Sequence, residues 1–368
     1  MDVHATQSLP VVVTGGAGFL GSHVVDSLIQ RGCRVSVVDD LSFGEAKNIS
    51  PYASFAGPRD CGTLTADDIP AGATIVHLAA TPRCNASLFA PVTDVERNYL
   101  PGVRLLTAAL NGGIRRFVYV SSMSVYGCAD SPYAEDSIPQ PRDPYAANKF
   151  ALETVVRSEC DAHGVEWVIL RPQHVFGPRQ RWNLTYRNVV ARWIACAMQE
   201  KPLPVFASLN LERAFSPVSL IVRGIVAATI DRTATNQVFN LGTRRVRSLL
   251  ELASWITRTL ELPQPMFDIG PAPPTLLTSA IGRVSRAERI LGITECEYEA
   301  EENLKLLGSE IARVESDLFA DEQGFHAEVL PCVYEEVYRS VGRPIHDQPR
   351  HEHSMQTQRT MQQTVRTH

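Results

Sequence analysis

Leu9-Pro10-Val11-Val12-Val13-Thr14-Gly15-Gly16-Ala17-Gly18-Phe19-Leu20-Gly21 is an apolar, β-branched run that passes directly into a glycine-rich turn. Valines in unbroken series suit a strand buried on both faces, as in a parallel sheet. Gly15, Gly18 and Gly21 are spaced for a dinucleotide-binding loop. The first permits a tight turn, the second lets backbone approach a pyrophosphate, and the third lets the next helix pack closely on the strand. That helix is expected to run to about Gln30, its N-terminus facing the phosphates and Gly32 closing it.

Working outward, residues 34–38 read as a second strand, and Asp39 stands at its end, about twenty residues beyond the glycines. A carboxylate there accepts hydrogen bonds from ribose hydroxyls and repels a 2′-phosphate, so NAD is expected rather than NADP. Residues 73–78 read as the next strand, and the small Ala79 and Ala80 after Leu78 leave room for cofactor backbone contacts. His77 reads as structural. Residues 92–110 have helical periodicity interrupted by Pro101, which is expected to kink the helix or mark its first turn. Further strands are expected at 117–120, 167–171 and 237–240. Strands alternating with helices imply an α/β fold, a Rossmann-type doubly wound parallel sheet with a smaller, mixed C-terminal substrate-binding region. The expected division is an NAD-binding domain over 1–172 with a return segment at 218–242, and a substrate-binding region over 173–217 and 243–342.

The chemistry-bearing stretch is Pro144-Tyr145-Ala146-Ala147-Asn148-Lys149. If it opens a helix, Tyr145 and Lys149 share one face. An ammonium beside a phenol favours phenolate, which suits Tyr145 to general-base work. The strand at 117–120 runs into Ser121, Ser122, Met123 and Ser124 on the side where doubly wound sheets bind ligands, so one of these serines is expected to hydrogen-bond a reacting hydroxyl.

The formal charge of −5 provides no basic field for nucleic acid or anionic lipid. Arg181, Arg187, Arg192 and Arg213 nevertheless gather in one stretch, and a guanidinium fork suits phosphate, with Arg213 the first choice. The eight cysteines show no metal-type pairing, and no metal is expected. No apolar run reaches the roughly 18 residues of a membrane span, and residues 1–9 lack the basic and apolar segments of a signal peptide, so a cytoplasmic protein is expected. Helices are expected at 249–260, 286–291 and 299–319. Residues 343–368 are rich in Gln, Thr, His and Arg and are expected to be a disordered tail.

With these residues in view, the chain resembles the extended short-chain dehydrogenase/reductase family, and within it the NAD-dependent nucleotide-sugar epimerases and dehydratases, of which UDP-glucose 4-epimerase is a familiar member. The likeness covers roughly residues 9–295. It implies cofactor contacts from Gly15, Gly18, Phe19, Leu20, Gly21, Asp39, Asp40, Leu41, Ser42, Gly44, Leu78, Ala79, Ala80, Asn98, Tyr145 and Lys149. It implies that Ser122, four residues before the Tyr of the Val125-Tyr126-Gly127 phrase, is the catalytic hydroxyl. Tyr145 would take a proton from a sugar hydroxyl, and Lys149 would hold the nicotinamide ribose. Substrate contacts are implied for Ser122, Met123, Ser124, His174, Arg181 and Arg213. A homodimer through the helices around 92–110 and 145–162 is implied too.

Related 4,6-dehydratases carry Asp and Glu where this chain has Met123 and Ser124, because eliminating water needs a second acid and base. The resemblance therefore favours 4-epimerisation of a nucleotide sugar, expected to be UDP-linked, while dehydration, decarboxylation, net oxidation and a cofactor-binding role as sensor or scaffold stay open. The substrate half departs from the family pattern. His174 replaces the usual Asn, Pro217 to Ile221 replace Tyr-Ile-Asp-Asp-Val, and Pro101 stands where Gly is usual.

Overall fold

Strand β1 (Pro10–Thr14) forms where the valine run leaves only its first residue partly exposed. It pairs in parallel with β2 (Arg34–Val38) on one side and β3 (Thr74–His77) on the other. With β4 (Arg116–Val120), β5 (Glu166–Pro172) and β6 (Gln237–Leu241), the sheet runs β2-β1-β3-β4-β5-β6, all parallel. A parallel bridge between Ser36 and Ser54 extends its β2 edge by one residue pair. This computed structural model describes residues 9–82, 87–182, 189–272, 276–277 and 279–318, and the expected tail at 343–368 lies outside them. The elements below lie in the unit Met1–Val314, apart from the end of the last helix.

Helices α1 (Phe19–Gln30), α2 (Leu100–Asn111), α3 (Pro144–His163) and α4 (Val218–Ile230) pack on the sheet, and the short helix Ser285–Leu291 adds Ala287 and Leu291 to its core. Alternate residues of each strand divide between the two faces. Val11, Val13 and Val37 join Val24, Leu28, Leu220 and Ile225 beneath α1 and α4. Val12, Ile75, Phe117 and Tyr119 join Leu105, Leu152 and Val156 beneath α2 and α3. Each buried aliphatic side chain contributes about 1.5–3 kcal/mol, which is what holds the helices to the sheet.

Local signals set the helix ends. The Asp143 side chain accepts from the Ala146 amide at 2.8 Å, Pro144 occupies the first turn, and Gly164 ends α3 in the left-handed conformation. The segment expected as one helix over 92–110 is a short turn at Pro91–Asp94, a π-helical turn at Val95–Tyr99, then α2. Pro101 falls in the first turn of α2, where its missing N–H costs least.

A second core joins the helices Val189–Met198, Leu249–Thr259 and Glu297–Leu318 through Trp193, Leu252, Ile256, Leu304 and Leu307. Small sheets edge it, pairing Phe267–Gly270 with Leu203–Phe206, and Glu212–Arg213 with Arg247–Ser248 and Ser279–Ala280. Val175–Phe176 pairs with Ser216–Pro217.

Candidate active site

Because β2 and β3 leave β1 on opposite sides, a crevice opens over the carboxyl ends of β1 and β3, the point where open α/β sheets bind ligands. Gly15 has φ 72°, and a Cβ there would sit 2.7 Å from the Ala79 nitrogen. A Cβ on Gly21 would sit 2.0 Å from the Gly15 carbonyl oxygen. The loop therefore stays bare of side chains where α1 begins, and the cradle left open suits a pyrophosphate at a helix N-terminus. Asp39 accepts from the Ala17 amide at 2.9 Å and the Leu41 amide at 2.8 Å. Burial pushes its carboxyl above the usual range, against the pull of those two amides.

The crevice is the mouth of a cleft of about 670 Å³, a size suited to a small ligand. Of the expected residues, Gly15, Gly18, Phe19, Leu20, Gly21, Asp39, Asp40, Ser42, Gly44, Leu78, Ala79, Ala80, Ser122, Tyr145, Lys149 and His174 line it. Leu41, Asn98, Met123, Ser124, Arg181 and Arg213 do not. Asn98 holds the Thr81 backbone at both its N–H and its C=O, and also donates to Asp94. Met123 packs with Val125, Tyr126 and Tyr133. Arg181 lies 3.5 Å from Glu45. Arg213 donates to the backbone carbonyls of Leu277 and Glu212. Arg187 falls outside the described residues.

Tyr145 and Lys149 come from the first turns of α3, both buried, with the Lys149 Nζ 5.9 Å from the centre of the Tyr145 ring. Lys149 donates to the Val120 carbonyl at 2.9 Å, which anchors it at the end of β4. The Tyr145 amide donates to Ser87 Oγ at 3.2 Å. Ser122 caps the turn Met123–Tyr126, and its Oγ accepts from both the amide and the hydroxyl of Ser124, at 3.1 and 2.9 Å. With its acceptor side filled from Ser124, the Ser122 hydroxyl is left to donate its own proton toward the cleft. A phenol, an ammonium and a hydroxyl donor lining one cleft are the groups that moving a proton on or off an alcohol requires.

His174 has φ 38°, and its Nε2 is buried with no hydrogen-bond partner among the described residues. Burial, with the Arg213 charge assisting, pushes its pKa down to about 3, so the ring is neutral around pH 7. Periodicity offered no sign of Phe43, Arg59, Asp60, Cys61, Thr81, Arg97 or Gln180, which also line the cleft. These sit on loops and short turns, and only the folded chain brings them there. Glu153 was equally hidden, though it continues the Tyr145–Lys149 face by one more helical turn. It accepts from Ser121 Oγ at 2.5 Å and from Arg171 Nε and Nη2 at 2.9 and 2.6 Å. Arg171 donates onward to Tyr126, and Tyr126 to Asn240.

Among the described residues no group of His, Cys, Asp and Glu is placed to hold a metal ion, and no helix is long and apolar enough to cross a membrane. Residues 11–242 match the NAD dependent epimerase/dehydratase family. An uncharacterized UDP-glucose epimerase of Bacillus subtilis is 30% identical over 263 residues, 67% of this chain and 81% of the relative. Among solved structures, the UDP-glucose 4-epimerase of Thermotoga maritima with UDP-glucose superposes with a TM-score of 0.75 at 27% identity, covering 83% of this chain and 99% of its own. The Thermus thermophilus UDP-glucose 4-epimerase complexed with NAD gives 0.74 at 25% identity, with coverage of 83% and 99%.

Proposed function

The chain belongs to the NAD dependent epimerase/dehydratase family, and from that premise we propose that it is a nucleotide-sugar 4-epimerase, acting on a UDP-linked hexose through a transient 4-keto sugar. Its cofactor is NAD. The side-chain-free cradle at Gly15 and Gly21 and the carboxylate of Asp39 at the end of β2 fit the pyrophosphate and the adenosine ribose. NAD supplies, when bound, the acceptor for hydride from the sugar carbon and the donor that returns it.

The protein's part is proton movement and positioning. Tyr145 takes the proton of the C4 hydroxyl as that carbon is oxidised, and gives it back when the ketone is reduced. Lys149, charged and buried beside the ring, stabilises the negative oxygen of Tyr145 during the interval. Ser122 donates to the sugar oxygen as it becomes a carbonyl, which the two bonds it receives from Ser124 favour. Rotation of the keto sugar in the cleft then presents its opposite face for reduction, which inverts C4.

The observation that carries this reading is the use made of positions 123 and 124. Met123 packs with Tyr126 and Tyr133, and the Ser124 hydroxyl is directed at Ser122, so neither supplies the acid and base that elimination of water requires. The test is incubation with NAD and, separately, UDP-glucose, UDP-N-acetylglucosamine and UDP-glucuronate, followed by proton NMR and absorbance at the NADH band. Appearance of the C4 epimer without NADH accumulation is expected. Loss of water or carbon dioxide, or stoichiometric NADH, would replace the epimerase reading with one of its relatives, and no turnover on the whole panel would favour a binding role. The same family reading implies a homodimer through the helices over 92–110 and 145–162, for which light scattering after gel filtration should give twice the chain mass.

A further inference from the structure

We infer that Tyr119 is a positioning residue for Lys149: its ring supports the ammonium from beneath, and a stack on His77 ties that support to the strand leading into the glycine loop. The inference rests on the reading that Tyr145 and Lys149 act as a pair.

The Lys149 Nζ lies 5.0 Å from the centre of the Tyr119 ring, and on its polar side it donates to the Val120 carbonyl at 2.9 Å. An ammonium held out of water needs such compensation, and the negative face of an aromatic ring supplies it without a competing charge. Tyr119 is fully buried, and its hydroxyl has no hydrogen-bond partner among the described residues. Burial, with Glu153 and Tyr145 adding to it, holds the phenol proton on well past its ordinary pKa. Tyr119 therefore presents a neutral ring, and what it offers its surroundings is that ring's two faces and edge rather than its oxygen.

His77 stacks on the ring with centroids 5.6 Å apart and planes 18° from parallel. Its Nδ1 is 2.7 Å from Thr14 Oγ1, and Thr14 Oγ1 accepts from the Ala79 amide at 3.3 Å. Thr14 and His77 thus share one hydrogen bond, whose direction follows the His77 tautomer. Burial first, and the Lys149 charge second, push the His77 pKa down to about 3, so the stack carries a single positive charge, that of Lys149. The order Thr14, His77, Tyr119, Lys149 crosses β1, β3 and β4 to reach α3. It links the ends of the strands that cradle the cofactor to the ammonium beside Tyr145.

The test reads Tyr145 directly and needs no turnover. NAD-saturated protein is titrated by ultraviolet difference absorbance against the same protein carrying Tyr145→Phe, which isolates one phenol. Tyr119→Phe keeps the ring and should leave the Tyr145 titration where it is. Tyr119→Leu removes the ring face and should move the midpoint up by about one pH unit, a factor of about ten in the ionisation constant. If circular dichroism shows that Tyr119→Leu does not fold, Tyr119→Met serves in its place. A midpoint unchanged in the aliphatic variant, or shifted equally in Tyr119→Phe, overturns the inference. Because the readout is an ionisation, its failure speaks against the stack, whereas failure of the wild type to epimerise any sugar speaks against the proposed reaction.

Discussion

Glu153 and Arg171 form a bidentate pair inside the protein, Oε2 lying 2.6 Å from Nη2 and Oε1 2.9 Å from Nε, with side chains 0% and 3% exposed. The pair joins α3 to β5, and its further bonds reach Ser121, Tyr126 and the Glu135 carbonyl. Removing one member leaves the other as an isolated buried charge. Glu153→Ala is expected to cost about 3–5 kcal/mol in urea unfolding. It should also reduce kcat, because Ser121 adjoins Ser122. A loss below about 1 kcal/mol would show that the network contributes little.

Asp39 is the residue expected to choose between the two nicotinamide dinucleotides. Asp39→Asn removes the charge expected to repel a 2′-phosphate and should weaken the bonds expected to the ribose hydroxyls. Calorimetric titration should show NAD binding weakened about tenfold or more and NADP binding unchanged or improved. Equal weakening of both would place the adenosine ribose elsewhere.

Ser124 is expected to contribute through Ser122. Ser124→Ala deletes the 2.9 Å hydroxyl bond and keeps the 3.1 Å amide bond. A kcat lowered about threefold to tenfold with KM little changed is expected, the scale of one net hydrogen bond. Ser122→Ala should cost more. If Ser124→Ala turns over like wild type, the hydroxyl bond has no part in preparing Ser122.

His77 gives stability a pH dependence. Its ordinary pKa is 6.5, and in the folded protein, where it is 2% exposed, burial and the Lys149 charge lower it to about 3. Below about pH 6.5 the unfolded chain takes up a proton that the native protein refuses, so stability is full above that pH and falls as pH drops toward 3. The slope from this one group is up to about 1.4 kcal/mol per pH unit. Unfolding midpoints between pH 4 and 7 should flatten in His77→Phe, and the His77 ring signals in NMR should not titrate across that range.

Much of the cofactor half was legible in the sequence because its signals are local. The valine run, the glycine spacing and Asp39 at a strand end each depend on residues close in the chain, and β1, β2 and α1 lie where those patterns put them. Pro101 was read as a kink or a first-turn residue, and it is the second. The segments at 167–171 and 237–240 carried enough apolar β-branched character to mark β5 and β6. The loops at Arg59 to Cys61 and at Thr81 carry no periodicity, so nothing local connects them with a cleft.

The sequence by itself determined the parallel sheet, the tight glycine loop and the helical spacing of Tyr145 and Lys149, since each follows from backbone sterics and periodicity within a few turns of chain. Only the tertiary structure decided what surrounds that pair. Tyr119 beneath Lys149, His77 beneath Tyr119, and Glu153 against Arg171 are contacts across different strands and helices, and burial is what gives them their consequences. Desolvation leaves His77 neutral, makes a ring face a useful partner for an ammonium, and turns a carboxylate and a guanidinium into a pair that neither can leave.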